Sequence, residues 1–284
     1  MPFPDVGLWD NIPAADYHSL DAHSSSRLKD LLDCPAVYRW KRDHPEAQEP
    51  SEFTELGTAA HCYLIEPETF ESRYFITKPG FTRAKKEDKA IAEEAERTGK
   101  TQIKQYDYDR VREICDAVML HPFAGDLIRL ADGRERSAVW LRDGKRCKAR
   151  FDFDCVTQCG VIADFKVTSS PHPDDWARHA QSFYQHVQAA WYPSGYVQAA
   201  GSGEEPPDWA WIIAPDSPPY RGRIWVAMPT PNWIDYGHRE IEKALAIYDK
   251  CTADGVWPGY ADEMPLEIEP RFLKKKDSMD IRII

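Results

Sequence analysis

The chain has no run of about 18 apolar residues, the length a membrane-crossing helix needs. Its start, Met1-Pro2-Phe3-Pro4-Asp5-Val6, carries neither the basic region nor the apolar core of a secretory leader. It also lacks a CxxC pair: seven cysteines stand alone at 34, 62, 115, 147, 155, 159 and 251. An odd, scattered set argues against a disulfide framework and against a zinc site, and fits reduced thiols in a cytosol. Excess positive charge is missing too. The formal net charge is −11, which on its face speaks against a polyanionic partner. Carboxylates gathered to hold a divalent cation would give the same sign, and a bound ion inverts the local field. Internal repeats and low-complexity linkers are absent.

What is present is an ordinary globular composition over 284 residues, 42% hydrophobic and 29% charged, enough to bury a full core without staples. Ten tryptophans and 22 prolines point to a rigid, loop-rich surface with aromatic contacts. Basic residues cluster, with Arg83, Lys85, Lys86 and Lys89 in one segment and Lys274, Lys275 and Lys276 in another.

Residues 1–22 read as an extended arm. Ser24-Ser25-Ser26 offers N-cap hydroxyls to a helix from Arg27 to about Asp33, and a second helical turn after Cys34-Pro35 carries Tyr38 and Trp40. Residues 41–50 read as a loop and Glu52–Ile65 as a helix ended by Pro67. In the charged stretch 78–104 one helix is expected from Lys86 to Arg97, with further helices over 107–119 and after His121-Pro122. The pattern then turns to period two: strands over 137–141, 147–154 and 160–167, the first pair joined by a turn at Arg142-Asp143-Gly144-Lys145. Trp176, Ala180, Phe183, Tyr184, Val187 and Trp191 define one long amphipathic helix. Strands over 209–214 and 223–228 and a helix over 232–250 close the chain before a tail. Helices first, then a sheet with a crossover helix, gives an α/β or α+β domain. We read a single domain over 1–284: a mainly helical part to 130, a sheet with the candidate site over 131–230, and a closing helix and tail over 231–284.

Three strings carry chemistry: Lys148-Ala149-Arg150-Phe151-Asp152, Ile162-Ala163-Asp164-Phe165-Lys166, and Gln188-Ala189-Ala190-Trp191-Tyr192. Asp164 and Lys166, two apart, project from one face of a strand. A lone D-x-K is common, and an exposed ion pair on an edge strand is its ordinary meaning. Here apolar Val161-Ile162-Ala163 precedes it, so Asp164 is expected at the end of a buried strand, where an unpaired carboxylate is costly. Asp152 is expected at the tip of the neighbouring strand, and two such carboxylates repel unless a cation lies between them. Two acids holding Mg²⁺, with Lys166 beside the attacking water, suit phosphodiester hydrolysis, and the Phe165 carbonyl offers one more oxygen. Gln188 and Tyr192 are neighbours on one helix face, either surface decoration or contacts to a phosphate or base. His61 ends Gly57-Thr58-Ala59-Ala60-His61, and is either a satisfied core histidine or a further metal ligand.

These strings, in this order, resemble the RecE-type (exonuclease VIII) branch of the RecB-like nucleases of the PD-(D/E)XK superfamily. The likeness runs over about residues 16–200, through Ser24-Ser25-Ser26-Arg27-Leu28-Lys29-Asp30, Cys34-Pro35, the string ending in His61, Leu64-Ile65-Glu66-Pro67, Glu135, Arg150-Phe151-Asp152, Asp164 to Thr168, and Gln188 to Tyr192. The resemblance implies a restriction-endonuclease-like core, a mixed sheet flanked by helices with an N-terminal helical extension. It implies that His61, Asp152 and Asp164 hold the metal, Mg²⁺ with Mn²⁺ able to substitute. Lys166 would be the catalytic lysine, Glu135 an acid of the first core strand, and Gln188 and Tyr192 the motif bordering the site. Ser26, Arg27 and Arg150, with Lys85 and Lys86, are candidates for substrate contact.

The same resemblance implies digestion of linear duplex DNA from 5′ ends to leave 3′ single strands for recombination. It also implies a RecT-like annealing partner, a homo-oligomer, and a bacterial or phage-infected cytoplasm. An endonuclease on the same core, or a DNA-binding assembly protein without catalysis, remain as alternatives. Two departures stand out. Pro193 follows Tyr192 and is expected to kink or end the helix there. Only Cys251 is a late cysteine, which does not fit the iron–sulfur cluster of some relatives.

Overall fold

A computed structural model describes residues 6–44 and 55–260. The helix start expected at Glu52 and Phe53, most of the 41–50 loop, and the tail with Lys274, Lys275 and Lys276 lie outside the described residues.

The chain opens with β1 (Gly7–Trp9), α1 (Ala14–Ser19), α2 (Ser25–Asp33) and α3 (Pro35–Asp43). There follow α4 (Glu55–Ile65), α5 (Pro67–Arg73), β2 (Tyr74–Thr77), α6 (Lys86–Arg97), β3 (Thr101–Lys104), α7 (Gln105–Leu120) and α8 (Pro122–Leu130). The centre is β4 (Gly133–Arg142), β5 (Lys145–Cys155), α9 (Val156–Cys159), β6 (Val161–Thr168), α10 (Pro173–Ser182) and α11 (Gln185–Ala200). The described chain closes with β7 (Asp208–Pro215), β8 (Trp225–Ala227) and α12 (Pro231–Asp254). Among the described residues no helix is long and apolar enough to cross a membrane.

Six strands form one mixed sheet in the order β1-β4-β5-β6-β7-β8. β4 and β5 make a hairpin whose turn residues Asp143 and Gly144 sit at φ 50° and 72°, the geometry of a tight two-residue turn. β6 and β7 run parallel through their whole length, joined by α10 and α11 on one face. This is the mixed sheet flanked by helices, with a helical N-terminal part, that the family resemblance implied. One apolar core packs Phe153, Ala163, Phe165 and Ile212 against α4, α7 and α8. The other packs Trp140, Phe151, Ile162 and Trp211 against α2, α11 and α12. Phe151 and Phe153 are two residues apart yet belong to different cores, so the alternation of β5 breaks at Asp152.

The decisive feature is a fork. β5 and β6 pair only at Phe153↔Ala163, Asp154↔Ile162 and Cys155↔Val161, then separate. The chain entering α2 fills the gap: His23 N–H donates to Arg146 O at 2.8 Å, and Lys148 N–H to His23 O at 2.7 Å. That seats α2 beside the point of separation.

Several expectations need correction. The arm over 1–22 is not wholly extended, since it contains β1, paired with β4, and α1. β3 within the charged 78–104 stretch pairs in parallel with β2. The expected helix over 176–191 is two helices, broken where Tyr184 takes φ 51°. Pro193 does not end α11, which runs on to Ala200. Proline forfeits one backbone bond, and close packing on two sides offsets that loss. A Cβ on Gly195 would stand 2.4 Å from the Trp140 ring, and one on Gly237 of α12 would stand 2.2 Å from the His186 carbonyl oxygen. Only glycine lets the sheet and α12 come so near α11.

Candidate active site

β6 carries Asp164 and Lys166 past the last paired residue of the fork, and β5 carries Asp152 past it on the other side. The two acids were expected at strand tips. They lie instead inside their strands, at the point where pairing stops, because twist and the inserted α2 segment part the strands before either ends. Phe165 N–H has no strand partner on the fork side. The Asp152 carboxylate accepts it at 2.8 Å through Oδ2 and ties the two prongs together. In an extended strand the N–H and C=O of one residue face the same edge, so the Phe165 carbonyl also faces the fork.

His61 reaches the fork from α4, whose small Ala59 and Ala60 are fully buried and let the helix lie close. Its Nε2 stands 3.2 Å from Asp152 Oδ1 and 3.5 Å from Glu135 Oε1. Donor atoms of His61, Glu135 and Asp152 all lie within 4.8 Å of one another, the one such group of histidine, cysteine or acid found among the described residues. Glu135 interrupts β4 at φ 50°, and the β4–β5 ladder skips it. A non-glycine residue held in the left-handed region stores strain of about 1–3 kcal/mol, a cost concentrated at functional sites.

Asp164 is not part of that trio. Its carboxylate accepts the Gln188 amide at 2.7 Å through Oδ1, and the Lys166 ammonium stands 2.6 Å from Oδ2 as an ion pair. Gln188 is therefore buried against a carboxylate rather than decorating the surface. Tyr192, on the same face of α11, borders the cleft described below.

The electrostatics follow from this crowding of charge. Burial lowers the affinity of His61 for a proton, but the charges of Asp152 and Glu135 outweigh it and raise the imidazole to about 9. Burial and the Asp152 charge push Glu135 up to about 7, against His61 and Arg150. Burial pushes Asp152 up, yet His61, Lys166 and the Phe165 N–H together hold it below the usual carboxylate range. Asp164 is pushed up, by burial first and then by Asp152, with Lys166 opposing. Burial disfavours the Lys166 ammonium, and Asp164 with Asp152 more than restores it. The acids gathered here are met by Lys166, by Arg150 and by the His61 proton, and a divalent cation would take the place of part of that positive charge.

A cleft of about 1000 Å³ opens from the trio. Arg27, Lys41, Arg42 and Arg73 line it, so basic residues gather at this site although the chain as a whole is acidic. All four of these cations carry a nearby acid: Arg27 and Arg42 pair with Asp21, Lys41 with Asp30, and Arg73 with Glu66. Ser26 and Arg27 border the cleft as expected candidates for substrate contact. Lys85 sits elsewhere, its ammonium on the Gly80 carbonyl, and α6 does not line the cleft. Arg150 lines it too, but its groups are spent on other partners. Nη2 donates to Ile12 O at 2.8 Å, Nε to Ser137 at 3.1 Å, and Nη1 stands 3.6 Å from Glu135.

Two features escaped the sequence reading. Lys148 is buried and donates to the carbonyls of Tyr17 at 2.7 Å and Leu20 at 2.9 Å. With Arg150 stacked 4.3 Å from the Tyr17 ring, it straps the N-terminal arm along the cleft wall. The signal was present, since Lys148, Arg150 and Asp152 alternate on one strand. The second is Lys29 on α2, lowered to about 8 by burial and then by the Lys166 charge. Nothing in an ordinary amphipathic helix marks a lysine that will face another lysine.

The family described as "PDDEXK-like domain of unknown function (DUF3799)" matches residues 24–270. A search of curated proteins gives no match. Among solved structures, a protein from Eubacterium rectale described as "Putative exonuclease" superposes with TM-score 0.63 at 16% identity, over 93% of this chain and 98% of that one. At that identity the likeness is one of fold.

Proposed function

Because the chain belongs to the PDDEXK-like domain family, we propose that it is a divalent-metal-dependent exonuclease acting on linear double-stranded DNA. The observation that carries this reading is the gathering of His61, Glu135 and Asp152 donors beside the Asp164–Lys166 pair, at the head of a cleft with basic residues on its wall. One imidazole and several carboxylates suit Mn²⁺ and, with added waters, Mg²⁺. The solved neighbour described as "Putative exonuclease" supports the same reading.

His61, Glu135 and Asp152 would hold the ion, with Asp164 and the Phe165 carbonyl turned toward the same fork. Bound there, it would make its water acidic and neutralise charge growing on the phosphoryl oxygens. Lys166 sets an ammonium at the carboxylate of Asp164, placed to orient the attacking water or to meet a phosphate oxygen. Gln188 fixes Asp164 by holding one of its oxygens. Arg27, Arg42, Lys41 and Arg73 would meet backbone phosphates, and because affinity would rest on few such contacts plus the metal, a shallow salt dependence is the expectation. Digestion in the 5′→3′ sense, 3′ single-stranded tails, a RecT-like annealing partner and a homo-oligomer belong to the same proposal and rest on the resemblance to RecE-type enzymes.

The test is digestion of one plasmid in linear and covalently closed forms with Mg²⁺, with the linear form labelled at either end. The expected result is loss of the linear form alone, with the 5′ label released first. Lys166→Ala should reduce that rate by about 10²–10³ while the protein stays folded. Cutting of the closed circle would replace the exonuclease reading with an endonuclease on the same site. Undiminished digestion by Lys166→Ala would overturn the site.

A further inference from the structure

The charged stretch between α5 and α7 folds as β2, a loop over 78–85, α6 and the parallel strand β3. Residues 73–104 hold nine lysines and arginines against five acids, in a chain whose net charge is −11. A strand, a helix and a second parallel strand bring three ends to one edge. The chain leaves β2 at Thr77, enters α6 at Lys86 and runs back, and β3 ends at Lys104, in register with Thr77. Lys78, Lys85, Lys86 and Lys104 therefore share that edge, and all four are exposed. The loop between β2 and α6 is held in place. Phe81 packs edge-on against Phe75 at 5.7 Å between centroids. Two turns close it, from Phe81 N–H to Lys78 O at 3.1 Å and from Lys85 N–H to Thr82 O at 3.0 Å.

The charges along this edge are not neutralised as those of the cleft are. Arg27, Lys41, Arg42 and Arg73 each stand beside a carboxylate. Within the unit, Arg83, Lys89 and Arg97 pair with Glu96, Glu93 and Glu94. Lys85 donates to the neutral Gly80 carbonyl at 3.2 Å, and among the described residues Lys78, Lys86 and Lys104 make no ion pair. Two acids, Glu87 and Asp88, share the first turn of α6, and Asp88 accepts the Thr82 N–H at 3.0 Å. Four ammonium groups against two carboxylates, at the positive end of a helix dipole, leave the edge basic.

We propose that this edge grips the phosphate backbone of the duplex beyond the cleft and so supplies sequence-independent affinity for DNA. The inference rests on the nuclease reading for where the duplex lies, and adds a surface that the cleft lacks. The unit is joined to the cleft without a linker: Arg73, the last residue of α5, lines the cleft, and Tyr74 begins β2. Lys100 ties the start of β3 to α5 by donating to Glu71 O at 2.8 Å, and Ile76 and Ile103 anchor the strand pair in the core beside α7. From Arg73 to Lys78 is about 16 Å of extended chain, or about five base pairs at roughly 3.4 Å each. A duplex entering the cleft past Arg73 reaches the edge within one helical turn. The shallow salt dependence expected of the cleft is then its share alone, and the lysine edge adds about 0.9 to the slope for each phosphate it meets.

The experiment measures binding of a long blunt-ended duplex to the full chain across a salt series, with a chelator present so that no digestion runs. Wild type is compared with a quadruple variant, Lys78→Gln, Lys85→Gln, Lys86→Gln and Lys104→Gln together, and with the double variant Lys86→Gln, Lys104→Gln. Thermal unfolding is followed in each, and because the four side chains are exposed the fold is expected to be kept. The quadruple variant should bind about tenfold more weakly or worse, and its slope of log affinity against log salt should be shallower by about 3–4. The double variant should show about half of that change in slope. A change in slope below about 1 in the quadruple variant, or binding that does not weaken, would overturn the inference. Digestion of linear plasmid by the wild type would still leave the nuclease reading standing in that case. Steep, lysine-dependent binding by a wild-type chain that digests no linear DNA would keep the edge and overturn the nuclease reading.

Discussion

If His61, Glu135 and Asp152 hold the ion as proposed, metal and protons should be strongly coupled. His61 stands at about 9 in the metal-free protein, raised by Asp152 and Glu135 against its burial. Only neutral imidazole binds a metal. At pH 7, two units lower, about 1% of His61 is neutral, so affinity should be roughly 100-fold below its plateau above pH 9. Glu135, at about 7, adds a factor of roughly two at neutral pH. Binding at pH 7 should release about one proton from His61 and about half a proton from Glu135.

Titration calorimetry with Mn²⁺ in two buffers of different ionisation heat measures that release. His61→Gln should bind more weakly at its best, with most of the pH dependence above pH 7 removed. The stability of the metal-free protein should move the other way. A histidine raised from 6.5 stabilises the fold fully below 6.5 and loses that contribution as pH rises through about 9. The raised Glu135 acts in the same sense at lower pH, its ionisation costing stability as pH climbs toward about 7. Melting temperature without metal should therefore fall from pH 6.5 to 9.5 while metal affinity rises. A dissociation constant that stays flat between pH 7 and 9, or a proton release near zero, would refute the reasoning.

Two further expectations concern the scaffold. Lys148→Met should strand the carbonyls of Tyr17 and Leu20, costing about 2–4 kcal/mol. Urea midpoints and faster proteolysis within residues 7–20 are the readouts, and a loss below about 0.5 kcal/mol would show that the strap is not held there. Gly237→Ala places a methyl 2.2 Å from the His186 carbonyl oxygen, so it should destabilise the protein by roughly 1–3 kcal/mol. Calorimetric melting checks this, and an unchanged melting temperature would mean the helices part freely.

The strings that carry chemistry were legible because they are local. Alternation placed Asp164 and Lys166 on one face, and helical spacing placed Gln188 beside Tyr192. Long periodic segments such as α7 and α12 were legible for the same reason. The break at Tyr184 and the survival of α11 past Pro193 were not. Around them Gly195 meets Trp140 and Gly237 meets His186, contacts that form only after the chain has folded. The β2–β3 pair escaped as well, since four-residue strands flanking a charged helix leave no periodic trace.

The sequence by itself determined which residue types were available and on which local face each would stand, because those follow from backbone periods of two and 3.6 residues. It could not determine that β5 and β6 part at Phe153 and Ala163. Nor could it show that His61 and Glu135 meet Asp152 while Asp164 turns to Lys166 and Gln188. Those choices belong to the tertiary structure. Strand twist, the α2 segment wedged into the fork and the left-handed kink at Glu135 set distances between residues far apart in the chain. Charge–charge energies depend on those distances and on burial, and neither is a property of any local segment.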